Sequence, residues 1–154
     1  MVTNDELREL FTGLPTGVKL TVISDSCFSG TVTHRIPGED QRMRFLDPDL
    51  RGYKAVSNPL RYKRKKAEKF PESGMKEILI SATNDIEFAY DDKFDDVYHG
   101  ALSYYALQTI RNADYKITYA ELVKKINQQL TKAHYPQHPQ LEGKQENKEG
   151  QIFT

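Results

Sequence analysis

This chain has one cysteine, no net charge and no long apolar run. A single cysteine, Cys27, excludes an internal disulfide framework and suits a reducing compartment. With four scattered histidines it leaves no structural zinc spacing, so no metal ligand set is expected. Lys+Arg and Asp+Glu each number 22, so no global field draws the chain to nucleic acid or to a membrane surface. No stretch is long and apolar enough to span a bilayer, and no charged n-region with an apolar h-region marks a secretory leader. The mean hydropathy of −0.69 is that of a soluble protein. The expectation is a cytoplasmic protein of one domain, whose 154 residues suffice to bury a core.

What is present centres on residues 18–30, V-K-L-T-V-I-S-D-S-C-F-S-G. Residues 18–24 are apolar and β-branched, which predicts a buried strand. The run ends in Ser24-Asp25-Ser26, then Cys27, then the turn signal Ser29-Gly30. The carboxyl end of a strand is where open α/β sheets place their chemistry. On spacing alone, Cys27 reads first as a half-buried structural thiol, since free cysteine packs as a small hydrophobe.

Upstream, Thr3-Asn4-Asp5-Glu6 carries a capping-box pattern before Leu7, Leu10 and Phe11. That helix is expected to stop at Gly13-Leu14-Pro15. Residues 31–74 are broken by Pro37, Pro48, Pro59 and Pro71 and read as a long irregular region. Within it runs Arg61-Tyr62-Lys63-Arg64-Lys65-Lys66, by composition a solvated linker or exposed helix. Residues 76–82, K-E-I-L-I-S-A, predict a second buried strand, ending in Thr83-Asn84-Asp85. Two parallel strands of this kind would present their polar carboxyl ends side by side. The acidic residues 85–96 lack the alternating ligand pattern of an EF-hand and read as a solvated loop. Residues 100–111 predict a helix with Leu102, Tyr105, Ala106, Leu107 and Ile110 inward. Thr118-Tyr119-Ala120-Glu121 is a capping box opening a helix with Leu122, Val123, Ile126 and Leu130 inward. Residues 134–150 read as a surface loop and 151–154 as a short last strand. The order predicts an α/β layer sandwich.

Asp25 to Gly30, D-S-C-F-S-G, resembles the catalytic-cysteine motif D-x-C-H-S-G of metacaspases, caspase-like cysteine peptidases of family C14. Phe28 stands where that motif has a non-catalytic histidine. Four further segments resemble the family in the right order. They are I-L-I-S-A with Asn84-Asp85, G-A-L-S-Y-Y-A-L from Gly100, I-T-Y-A-E-L from Ile117, and P-Q-L-E-G from Pro139. Thr83 stands where the family commonly has a second cysteine.

The resemblance implies a caspase-like fold: a central, mostly parallel sheet flanked by helices, here incomplete on its N-terminal side. Residues 1–36 would be the end of a large-subunit-like part, 37–74 an intersubunit-like loop, and 75–154 a small-subunit-like part. It further implies an endopeptidase that cleaves after Arg or Lys by a Cys–His dyad, acting on peptides or proteins. Cys27 would be the nucleophile, and Asp25 would meet the basic P1 side chain, with Ser81 and Asp85 as further substrate-binding candidates. The family's catalytic histidine lies upstream of its cysteine, where residues 1–26 hold none; His34, His99, His134 and His138 match no family histidine. The expectation is a companion N-terminal segment that brings the histidine, or a homo-oligomer. The alternative is a catalytically inactive caspase-fold module that binds or regulates partners. Arg61, Lys63, Arg64, Lys65 and Lys66 lie where family members process themselves. No cofactor is required; calcium is a common activator in the family, with no ligands assignable here.

Overall fold

The computed structural model describes residues 9–26, 42–43, 72–84 and 87–154. Among them the order is β1 (Leu20–Ser24), β2 (Arg42–Met43), a 3-10 turn (Glu72–Gly74), β3 (Glu77–Ser81), β4 (Tyr90–Phe94), β5 (Val97–Gly100), α1 (Ala101–Asn112), α2 (Tyr119–Lys132), β6 (Gln140–Glu142) and α3 (Gln145–Lys148). Residues 9–12 are helical and end at the expected Gly13-Leu14-Pro15 stop. The Lys76 ammonium donates to the carbonyls of Thr12 and Leu14, each at 2.8 Å. It thereby satisfies acceptors that a helix end leaves without amide partners.

β1 and β3 run parallel, from Leu20↔Glu77 to Ser24↔Ser81. β6 adds antiparallel on the other side of β3, giving the order β1-β3-β6. β3 is the central strand, with Ile78 and Ile80 buried. Among the described residues β1 ends this sheet and is not buried as residues 18–24 predict: Ile23 is 42% and Val18 48% exposed.

The acidic stretch is also corrected. Instead of a loop, residues 90–100 form the β4–β5 hairpin, and β2 pairs with β4 on its other side. Asp95 (φ 49°) and Asp96 (φ 66°) make its two-residue turn, the left-handed pair that a tight hairpin requires. Aspartate tolerates that conformation because its short polar side chain bonds locally. Tyr90, Asp92 and Phe94 alternate along one face of β4. A carboxylate in the middle of that face hid the alternation.

The helices cover the sheet. α1 buries Leu102, Ala106, Thr109 and Ile110. Leu107, expected inward, is 54% exposed because it falls off this i, i+4, i+7, i+8 stripe. α2 buries Leu122, Val123, Ile126 and Leu130 as the spacing predicts. The core joins these stripes to Ile78, Ile80, Phe88, Tyr90, Tyr135 and Ile152.

Thr118 and Glu121 form the expected capping box. The Glu121 N–H donates to Thr118 Oγ1 at 3.1 Å, and the Thr118 N–H donates to Glu121 Oε2 at 3.2 Å. Thr118→Ala is therefore expected to cost about 1 kcal/mol in urea unfolding. A change below about 0.3 kcal/mol would mean that water replaces the cap without loss.

Residues 134–150 are not a surface loop throughout. They hold β6, α3 and the buried Tyr135 and Gln137. Residues 151–154 are not a strand: a single bridge, Thr118↔Gln151, is followed by a turn. Ile152 is nevertheless buried, and its N–H donates to the Ile117 carbonyl at 3.0 Å.

Candidate active site

The parallel pairing of β1 and β3 brings two polar strand ends together. The ladder extends one step past the strands, with the Ala82 N–H donating to the Ser24 carbonyl at 2.9 Å. The chain then leaves the sheet at Asp25. One carboxylate oxygen, Oδ2, accepts from the Ser103 N–H at 3.0 Å and from the Ser103 hydroxyl at 2.6 Å.

Ser103 stands in the first turn of α1, whose N-cap, Gly100, offers no side chain. A helix start leaves N–H groups without intrahelical acceptors and carries a partial positive charge. Asp25 supplies both an acceptor and a negative charge there, from 78 positions earlier in the chain. The contact ties the end of β1 to the amino end of α1.

At the end of β3, Ser81 is buried and its hydroxyl donates to the Thr83 carbonyl at 3.2 Å. Thr83 is 2% exposed, and its Oγ1 has no hydrogen-bond partner among the described residues. Gln137, 1% exposed, closes the layer below. Its Oε1 accepts from the Tyr90 N–H at 3.0 Å and its Nε2 donates to the Ala82 carbonyl at 3.4 Å.

Beside Ser103, Tyr104 stacks on Phe94 with centroids 3.7 Å apart. Tyr105 meets Tyr135 edge-on at 6.0 Å. The Tyr135 hydroxyl donates to Asp92, which satisfies the carboxylate on the inner face of β4. Burial, and then this bond to Asp92, push the Tyr135 phenol well above its usual range. Burial, then Tyr104 and Asp92, raise Tyr105 as well. Both are neutral at physiological pH and act as packing groups that hold the hairpin on α1.

Of the candidate residues, Asp25 and Ser81 lie at adjacent strand ends. Cys27, Asp85, His34 and the run Arg61, Lys63, Arg64, Lys65 and Lys66 lie outside the described residues. His99 is on β5 with its ring 6.5 Å from Tyr104. His138 is held by Glu87, its Nδ1 2.7 Å from Oε1 and its N–H donating to Oε2 at 2.8 Å. Among the described residues no group of three His, Cys, Asp or Glu side chains converges as a metal site. No helix among them is long and apolar enough to cross a membrane. A cavity of about 130 Å³ opens at the amino ends of β1 and β3, lined by Lys19, Thr21, Lys76 and Tyr119 and not by Asp25.

The sequence profile of the caspase domain, peptidase family C14, matches residues 1–149. The chain belongs to the caspase-domain family. This caspase domain has the mixed α/β architecture expected of it, with Asp25-Ser26 leaving the end of a strand in the parallel pair. Its fold is similar to the crystal structure of protein GSU0716 from Geobacter sulfurreducens, with a TM-score of 0.65 and 24% identity. The likeness covers 98% of this chain and 57% of that one, so the caspase domain described here spans little more than half of that protein. A search of curated proteins found no match.

Two residues of the caspase domain's site were not read from the sequence. Ser103 belongs to a segment that resembles the family, but nothing in its spacing pairs it with Asp25. Gln137 stands in a proline-interrupted polar stretch, where no periodicity marks a buried residue.

Proposed function

We propose that this caspase domain carries the nucleophile-bearing part of a metacaspase-type cysteine endopeptidase that cleaves after Arg or Lys. The observation that carries the reading is Asp25-Ser26-Cys27 at the carboxyl end of β1, in a chain of this family. Cys27 attacks the scissile carbonyl as a thiolate. The tetrahedral intermediate collapses, the carbon–nitrogen bond breaks, and an imidazolium gives its proton to the leaving amine. Water, deprotonated by the same imidazole, then hydrolyses the thioester and restores the thiol. The Cys27 N–H contributes to the oxyanion hole. Asp25 pairs with the guanidinium or ammonium of P1, a charge-assisted contact that favours basic residues.

In this reading the imidazole is supplied from outside residues 1–154, as by a companion segment, since residues 1–26 hold no histidine. Without such a base, the thiol stays near a pKa of about 8.5 and is mostly protonated at neutral pH. The large-subunit-like part, 1–36, and the small-subunit-like part, 75–154, flank the basic run, where self-processing after Arg61, Lys63, Arg64, Lys65 or Lys66 would fall. Calcium is an activator to be tested by addition.

The test is intact mass after treatment with an electrophilic ketone carrying Arg at P1, with and without calcium. Labelling is expected at Cys27, abolished in Cys27→Ala and reduced about tenfold or more in Asp25→Ala. A second chain in the labelled species would identify the source of the histidine. A folded protein that by itself takes no label would be an incomplete or regulatory caspase-like fold; one that takes none with the histidine-bearing segment supplied would reject the peptidase reading. For processing, wild type and Cys27→Ala should differ by a cut within 61–66; identical masses would remove that part.

A further inference from the structure

We propose that Ser103 is a positioning residue for the recognition of a cationic P1 side chain. It holds the Asp25 carboxylate, two residues before Cys27 in the sequence, in one orientation. This rests on the roles proposed above for Asp25 and Cys27, and it adds a residue of α1 to substrate selection.

An aspartate at a strand end can turn about its side-chain torsions, and each well points the carboxylate elsewhere. Pairing with a planar guanidinium depends on that direction, because the donors form a fixed fork. Here Oδ2 is held by two donors from one residue, the Ser103 hydroxyl at 2.6 Å and the Ser103 N–H at 3.0 Å. The N–H cannot swing, because it belongs to the first turn of α1. That turn is itself pinned by Ala101 and Leu102, both 0% exposed. The frame runs from the core through α1 to Ser103, and then to Asp25 at the end of β1. A site held to a fraction of an ångström by such a shell loses rate when one support is removed.

Ser103→Ala removes the hydroxyl bond but keeps the N–H bond and the buried stripe of α1, so the fold is retained. Ser103→Thr restores a hydroxyl at the same place. The rate of Cys27 modification is read by mass spectrometry with three reagents on the intact protein: a ketone with Arg at P1, the same ketone with Ala at P1, and iodoacetamide. In Ser103→Ala the Arg reagent is expected to slow about tenfold, with the other two within about twofold and Ser103→Thr within about threefold of wild type.

Ser103→Ala that keeps the full preference for Arg would overturn the inference while leaving the role of Asp25 standing. Equal slowing of all three reagents would overturn it too, since the hydroxyl would then be supporting structure alone. A wild type that takes no label, or that treats Arg and Ala alike, would remove the P1 reading and the inference with it.

Discussion

Leu102→Ala is expected to destabilise the chain by about 3–4 kcal/mol, and Leu107→Ala by less than about 0.5 kcal/mol. The two leucines share α1 but not its buried stripe. Leu102 is 0% exposed, packed beneath the turn that presents Ser103, and its loss leaves a cavity the surrounding residues cannot fill. Leu107 is 54% exposed and already gives most of its surface to water. For a chain of this size, about 3 kcal/mol corresponds to a fall in Tm of about 10 °C. Calorimetry of the two variants measures the contrast. Equal losses would mean that the Leu107 face is covered in the protein as it exists. Leu102→Ala should also weaken Arg-directed labelling of Cys27, because it loosens the helix start that orients Asp25.

Gly143→Ala is expected to cost about 2–4 kcal/mol, from two separate causes. The residue follows β6 with φ 145°, a backbone conformation that L side chains rarely adopt. An added Cβ would stand 2.8 Å from Ile78 Cδ1 and 3.1 Å from the Glu77 carbonyl oxygen. Ile78 is buried in the core and Glu77 is backbone of the central strand, so neither yields easily. Gly17 supplies the control. Its φ is 88°, but a Cβ there meets nothing within 4 Å, so Gly17→Ala carries the strain alone, about 1–2 kcal/mol. Urea denaturation of both variants separates strain from collision. A Gly143→Ala variant no worse than Gly17→Ala would mean that β6 shifts away from β3 at no cost.

Much of the fold was legible in the residues. The capping box at Thr118 and the apolar spacing of α2 are local signals, and nothing elsewhere in the chain competes with them. The run E-I-L-I-S led to β3 because a central strand is apolar on both faces. β1 carries a similar run and, among the described residues, lies at the sheet's edge and half exposed. The β4–β5 hairpin escaped because its inner face holds Asp92, whose burial is compensated by a tyrosine far along the chain, and its turn is Asp-Asp rather than Asn-Gly. Residues 134–150 escaped because Gln137 is buried through hydrogen bonds, which leave no periodic trace.

The candidate site divides the same way. By itself, the sequence determined α1 and α2, the two strands of the parallel pair and the Asp25-x-Cys27 motif, because these depend on neighbours a few residues apart. The tertiary structure alone decided which strand is covered, where Asp92 finds its donor, and that Asp25 caps α1 through Ser103. Those contacts join groups many tens of residues apart, and their energy comes from desolvated polar partners that meet only when the whole chain has packed.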